Sequence, residues 1–347
     1  YFNPFIYSKI YFQGSITLIS ILNVIFFSQI INDKYKIKKL DALVYASIFL
    51  ILPFFRSSAY WGLTENFGWL FLILSIKYFV KYENLISKKS ILTVFLFCFF
   101  SSLALYVRPY MIFFPIFIIF QLINSKDYYS LKYSCIFYAF LSIPGFFLLH
   151  LWGGFHQIGA EEVSLVQDYH NPKFVIRNLI IFASIFLFYF IPWELAALAK
   201  KFKITKAKII AFLSILLILT ILSFLNIFDY LQEINLGGGV FLKLSKFLFS
   251  YQIFIFILIS SIGITLLVDY IRISKKNLIL FFCLLIFCFP KYPLQEYFEP
   301  LFIILLFTLM DLRKINLQLF KENKTILIYC GYFFMYFFGT SYYRHFF

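Results

Sequence analysis

The chain has 347 residues, of which 62% are hydrophobic and only 14% charged. A water-soluble domain is nearer half apolar and a quarter charged. Composition therefore excludes an ordinary soluble protein and predicts an all-α fold, a polytopic transmembrane helical bundle of about 12 helices. The net charge of +15 is spread over short connections, which excludes nucleic acid as a partner and leaves membrane lipids as the surface the cations meet.

Apolar runs of roughly 17–20 residues recur, enough to cross ~30 Å of hydrocarbon as a helix. A β-barrel would instead alternate over segments of ~10 residues. In chain order the predicted spans are 14–31, 41–55, 66–80, 91–107, 110–124, 133–151, 176–193, 208–225, 249–269, 278–290, 299–311 and 325–339. They nearly exhaust the chain, so residues 1–347 read as a single transmembrane domain. By count, 22 of the 31 Lys and Arg, Lys77 included, fall in or beside every second connection. Those connections are 32–41, 81–89, 125–132, 200–208, 272–276 and 311–324. Lys and Arg gather on the cytoplasmic side of a membrane, so the alternation predicts an orientation. The connections 56–66, 108–110, 152–175, 226–248 and 290–299 then face outward. This topology leaves Tyr1 outside, and the expectation is that an N-terminal helix and a first outer loop precede it; a removed signal peptide is the other explanation.

Several features take structural readings. Cys98, Cys135, Cys283, Cys288 and Cys330 lie in or beside apolar runs with no CxxC pair, and read as small packing residues. Gly237–Gly239 lacks the Lys-Ser/Thr of a phosphate loop and reads as a flexible outer loop. The loop 152–175 carries His156, Glu161, Glu162, Asp168 and His170 without an i,i+4 ligand pair, so no cofactor is assigned; a divalent metal is conceivable, but no ligand motif supports one. No nucleotide-binding motif occurs, and any activated substrate must reach the outer face.

The chemistry-bearing candidates are outer. In PFFRSSAYWGLTEN, Arg56 and Glu65 are the charges of a long apolar region. Arg offers a planar fork of donors suited to phosphate. Tyr60 and Trp61 suit a sugar ring, or an interfacial belt. Glu65 opens a helix, where a carboxylate is also favoured by the dipole. In LALYVRPYMIFFP, Arg108 interrupts an apolar run just before Pro109, with Tyr110 beyond it. A charge there is costly and marks a functional position, against the alternative of an Arg reaching out to headgroups. In FPKYPLQEYFEPLF, Lys291 suits a phosphate, and Glu296 and Glu299, three apart, suit sugar hydroxyls, with capping of the next helix the alternative for Glu296.

The segments RSSAYWGLTENFGWLF (56–71), YVRPYMIFFP (106–115) and PLQEYFEP (293–300) resemble the GT-C superfamily of membrane glycosyltransferases, distantly its branch acting on dolichol-linked oligosaccharide. The resemblance covers about the first third of the chain and one late loop. It implies transfer of a sugar from a polyprenyl-phosphate donor to a lipid-linked glycan or other acceptor, on the extracytoplasmic face of what reads as a bacterial inner membrane. It further implies Glu65 as catalytic base, with Arg56, Tyr60, Trp61, Arg108, Tyr110, Lys291 and Glu296 binding substrate. The family's usual acidic residue lies in a first outer loop, which here would precede Tyr1. An O-antigen-type polymerase or ligase is the first alternative. A lipid or polysaccharide transporter is the second, disfavoured because the charges fall near predicted helix ends.

Overall fold

The computed structural model describes residues 8–61, 65–84, 90–152, 172–198, 206–225, 227–228, 239–248, 252–287, 298–312 and 323–346. The described residues are almost wholly helical; apart from helices they hold a single antiparallel bridge, Ile271 with Leu312. The helices are α1 (Lys9–Tyr35), α2 (Lys39–Ala46), α3 (Pro53–Trp61), α4 (Glu65–Asn84), α5 (Ile91–Val107), α6 (Phe113–Asn124) and α7 (Tyr128–Trp152). They continue with α8 (Pro172–Leu198), α9 (Lys206–Phe224), α10 (Gly239–Leu248), α11 (Gln252–Tyr270), α12 (Lys275–Phe287), α13 (Glu299–Thr308) and α14 (Asn323–Phe346). Two 3₁₀ turns, Ser47–Leu50 and Pro109–Ile112, join α2 toward α3 and α5 to α6. Each predicted span falls mostly on helix over its described residues, with 41–55 broken at 51–52, but the prediction of about 12 membrane-crossing helices does not hold. Among the described residues, four helices are long and apolar enough to cross a membrane, or five if the pair 39–50 and 53–60, bent by 73°, is one span.

The reason lies in length and composition. Helices α5, α6 and α13 have 17, 12 and 10 residues, short of the ~20 that a bilayer needs. Helix α7 is 25 residues long but interleaves Tyr and Ser with its apolar positions. The expected outer loop 226–248 is also partly helical, because Gly239, at φ 85°, opens α10 rather than lying within a flexible loop.

The chain divides into two compact units, one of residues 1–159, 299–309 and 317–347, the other of 160–298 and 310–316. In the first, α1 is the spine. Phe27 stacks on Phe49 at 4.7 Å and meets Phe307 edge-on at 6.3 Å. Phe79 of α4 packs edge-on against Phe97, Phe114 and Phe117. Between apolar helices, small hydroxyls draw the backbones together, as where Ser75 Oγ donates to the Phe97 carbonyl at 2.6 Å. Helix α7 contains Pro144, which opens its hydrogen-bond ladder. The Tyr106 hydroxyl of α5 fills the gap, donating to Leu141 O and accepting from Gly145 N at 3.0 Å.

Helix directions polarise this unit. Asn23 reaches the Asn66 carbonyl and Lys77 reaches Gln29, so α4 runs alongside α1 in the same sense. At the end of α1, Lys34 Nζ donates to Thr308 O at 2.6 Å, and the end of α4 is tied to the start of α7 by Tyr82 and Asp127. Lys34–Lys39, Lys81 and Lys126 therefore share one end. Glu65 and Arg108, at the other ends of α4 and α5, lie away from it.

In the second unit, α8 is central, with 76% of its apolar window buried, and α9 is peripheral, with 6%. On α9, Ile210, Leu213, Leu217, Ile218 and Ile221 are exposed; such a continuous apolar surface needs an apolar surrounding. Helix α11 crosses α8 tightly. Ser260 Oγ donates to Ile180 O at 3.1 Å, and a Cβ on Gly263 would stand 2.2 Å from the Ala183 carbonyl oxygen. Asn277 holds the incoming chain by donating to Asp311 O and accepting from Asp311 N.

An Ala in place of Gly in a helix interior ordinarily stabilises by ~0.5–1 kcal/mol. Gly331 has open space around it, and Gly331→Ala is expected to raise the thermal midpoint in detergent. Gly263→Ala must instead push α11 off α8 and is expected to lower stability by about 1–3 kcal/mol. Parallel thermal scans check the opposite signs.

Candidate functional site

Helix breaks build this site. Arg108 precedes Pro109, and a residue before proline is pushed out of helical geometry; Arg108 takes φ −142° and ψ 106°. Its amide still closes α5 on Ala104 O, and its carbonyl opens the next turn by accepting from Met111 N. The side chain is thereby aimed at the first residue of α4, and Arg108 Nη2 donates to Glu65 Oε1. The two side chains are 28% and 20% exposed. Gly68, one turn into α4, admits this turn: a Cβ there would lie 3.0 Å from Met111 Cε and 3.4 Å from Arg108 Cγ. Tyr110 packs its ring 6.1 Å from that of Trp69.

The pair is incompletely satisfied. Glu65 Oε2 and Arg108 Nε are both buried with no hydrogen-bond partner. Buried polar atoms are almost always bonded to protein, water or ligand. The pair thus leaves one acceptor and one donor unsatisfied, the kinds of group that a hydroxyl and an anionic oxygen would satisfy.

Next to it, Asn66 is fully used. Its Nδ2 donates to Ser20 Oγ at 2.7 Å, its Oδ1 accepts from Ser58 Oγ at 2.6 Å, and its carbonyl accepts from Asn23 Nδ2 at 2.9 Å. All four side chains are buried. Asn23 is the fifteenth of the 27 residues of α1. The start of α4 therefore meets the middle of α1, and the Glu65–Arg108 pair lies near half-height of that helix. The sequence places these charges near helix ends; the structure agrees, but the helices that end there do so halfway along α1.

The remaining candidates are partly dispersed. Arg56 sits on α3 with its guanidinium 3.8 Å from the centre of the Phe337 ring of α14, a cation–π contact. Tyr60, one turn further along α3, is 67% exposed. Trp61 ends α3, and its side chain lies outside the described residues, as do Lys291 and Glu296. Also outside are Cys288 and the cluster His156, Glu161, Glu162, Asp168 and His170. Among the described residues, no three His, Cys, Asp or Glu side chains converge on a metal-sized site.

Two further charged residues are buried, Glu299, which the sequence offered for sugar hydroxyls, and Arg177, which it did not offer as a site residue. Glu299 is fully buried. Its Oε1 accepts from Phe54 N at 2.7 Å and Phe55 N at 3.4 Å, and Tyr336 OH donates to Oε2 at 3.4 Å. It caps α3, at whose first turn Pro53 leaves free amides, instead of offering its carboxylate to sugar hydroxyls. Its nearness to Glu296 in sequence carried no sign of a partner 245 residues away. Arg177 is also buried, near the start of α8, bonded to Asn178 Oδ1 at 3.2 Å. The signal for it was a lone Arg where an apolar run begins.

No protein-family model, no curated protein and no solved structure matches the chain. Fold and site together define a class: a protein whose described residues are almost wholly helical, with four to five apolar spans among them, a broken helix capped by a buried carboxylate, and an unfinished Arg–Glu pair.

Removing either partner of the pair strands the other in a half-buried setting. Glu65→Ala and Arg108→Ala are each expected to destabilise the fold. The double variant should lose less than the sum, with a coupling of about 1–3 kcal/mol by thermal unfolding. Additive losses would separate the two side chains energetically. Glu299→Ala should cost about 1–2 kcal/mol as a lost cap, with Glu299→Gln, which keeps one acceptor oxygen, losing less.

Proposed function

We propose that the protein is a membrane glycosyltransferase moving a sugar from a polyprenyl-phosphate donor to a hydroxyl acceptor, with its site at the Glu65–Arg108 pair. The observation that carries this reading is the unused donor and acceptor of that pair, Arg108 Nε and Glu65 Oε2. In the reaction the acceptor oxygen attacks the anomeric carbon and gives its proton to the Glu65 carboxylate. The bond from that carbon to the phosphate oxygen breaks, and the lipid phosphate leaves with the electron pair. Arg108 shifts from Glu65 to the departing phosphate and stabilises its charge as it grows. Arg56 adds a second cation and Tyr60 an exposed aromatic face for the sugar. The GT-C resemblance supports the same assignment, with Trp61, Tyr110, Lys291 and Glu296 as further binding residues. By the charge rule for membrane loops the lysine-rich end of the first unit faces the cytoplasm, and on this reading Glu65 and Arg108 serve the other side of a bacterial inner membrane.

A second reading, transport of a lipid or polysaccharide, is favoured by a different observation. Helix α3 starts at a break, with its N-terminus on the buried carboxylate of Glu299, and transporters hold substrates at discontinuous helices with buried charges. No comparable feature favours a polymerase or ligase.

The deciding experiment measures sugar transfer from polyprenyl-monophosphate sugars in membranes containing the protein. Arg108→Ala is expected to lower turnover by about 10²–10³, the usual effect of removing a charge-stabilising donor, and Arg108→Lys to restore part of it. A folded protein that transfers no sugar, yet moves labelled lipid across vesicles in a Glu299-dependent manner, would replace this reading with the transporter.

A further inference from the structure

At the opposite, lysine-rich end of the first unit, α2 and α14 border a cleft. The cleft between them has a volume of about 630 Å³ and is lined by Leu40, Val44, Ile51, Leu327, Cys330 and Phe334, among others. Its walls are apolar, and the one charged group in the lining is Asp41. The surrounding apolar surface is open, with Leu40 at 70% and Leu327 at 76% exposure. The cleft runs from Leu40, where α2 begins, to Ile51, at the break before α3. Eleven helical steps of ~1.5 Å cover about 16 Å, close to half of the ~30 Å hydrocarbon thickness. The cleft is thus as long as the chains of one leaflet.

Its mouth is basic. Lys36, Lys38 and Lys39 immediately precede Leu40, and Lys324 stands two residues before Ile326 on the facing wall; all four are exposed. Four cations against the single carboxylate of Asp41 make the entrance attractive to an anionic headgroup, and each surface Lys near a membrane adds to such attraction. Amine heads at the interface with apolar stems along the groove suit a lipid.

We propose that this cleft is a binding site for one anionic phospholipid of the lysine-side leaflet, an acyl chain lying between α2 and α14 and the phosphate held by Lys38, Lys39 and Lys324. The site goes beyond the transferase reading and stands without it, since it shares no residue with the Glu65–Arg108 pair.

The test uses the full chain in phosphatidylcholine nanodiscs with phosphatidylglycerol carrying a photoactivatable acyl chain, the labelled positions being mapped by mass spectrometry. Labelling should fall within 40–51 and 326–334, and unlabelled phosphatidylglycerol should compete better than phosphatidylcholine. Gly331 faces open space, with nothing within 4 Å of a built Cβ. Gly331→Leu therefore projects a side chain from the lining into the cleft, and should cut labelling about tenfold, the worth of one or two buried methylenes. The triple change Lys38→Gln, Lys39→Gln, Lys324→Gln should abolish the preference for the anionic headgroup but keep chain labelling. The control Lys206→Gln, Lys275→Gln, Lys276→Gln removes equal charge elsewhere and should leave both unchanged. Labelling insensitive to Gly331→Leu, or a control that matches the triple change, would overturn the site. Cross-links between copies through Cys330 in place of lipid would also overturn it, assigning the cleft to a second copy of the chain.

Discussion

Backbone amides and carbonyls released at a helix end cannot be left bare in an apolar interior, where each unsatisfied group costs several kcal/mol. The first unit breaks three helices, α3 and α4 beside the middle of α1 and α5 against the start of α4, and has to satisfy each break from within. Glu299 accepts from the first amides of α3. Asn66 joins the start of α4 to α1 and α3 through Ser20, Asn23 and Ser58. The end of α5 closes on Ala104 before Pro109 forces a 3₁₀ turn. The arrangement of α1, α3, α4 and α13 follows from these partners, because the apolar faces alone, Phe against Phe, would pack in several registers.

Within this polar layer, one element is complete and another is not. Asn66 has a partner on each side-chain atom and on its carbonyl, so it is structural and offers little to a ligand. Glu65 and Arg108 share one hydrogen bond and leave Oε2 and Nε unused. A purely structural ion pair would be expected to use both oxygens and the guanidinium fork, since burial penalises whatever is left over. A fully bonded Asn66 beside an incomplete pair gives what a binding site requires, a fixed wall next to unused donors and acceptors.

Much of this was legible in the sequence, though unevenly. Period and composition located helix at each apolar stretch, with α5 found at 91–107, and Arg108 before Pro109 was readable as a break. Glu65 opening a helix was readable from its place after a turn-rich segment. Span counting failed because hydropathy registers apolar length without registering depth: α13 is ten residues of buried helix, which reads like a span although it cannot cross a bilayer. The break at Ile51–Leu52 was hidden inside one continuous apolar run. The Glu65–Arg108 contact joins residues 43 apart, and the Glu299 cap residues 245 apart. Neither distance leaves a local signature, because the constraint lies in tertiary packing.

The break after Ile51 also explains how one strand of sequence can serve two chemically different surroundings. Before it, α2 carries Lys38 and Lys39 at its start and an apolar face toward α14. After it, α3 turns by 73° and presents Arg56 and Tyr60 one turn apart, with Arg56 held on Phe337. Lysine is a flexible point charge suited to meeting mobile headgroups, whereas arginine on an aromatic ring has a fixed plane suited to one oriented phosphate. A continuous helix from 39 to 61 would span ~33 Å and carry Arg56 far from the middle of α1. The bend instead keeps α3 beside the start of α4, where Ser58 meets Asn66, and holds Arg56 on the Phe337 ring.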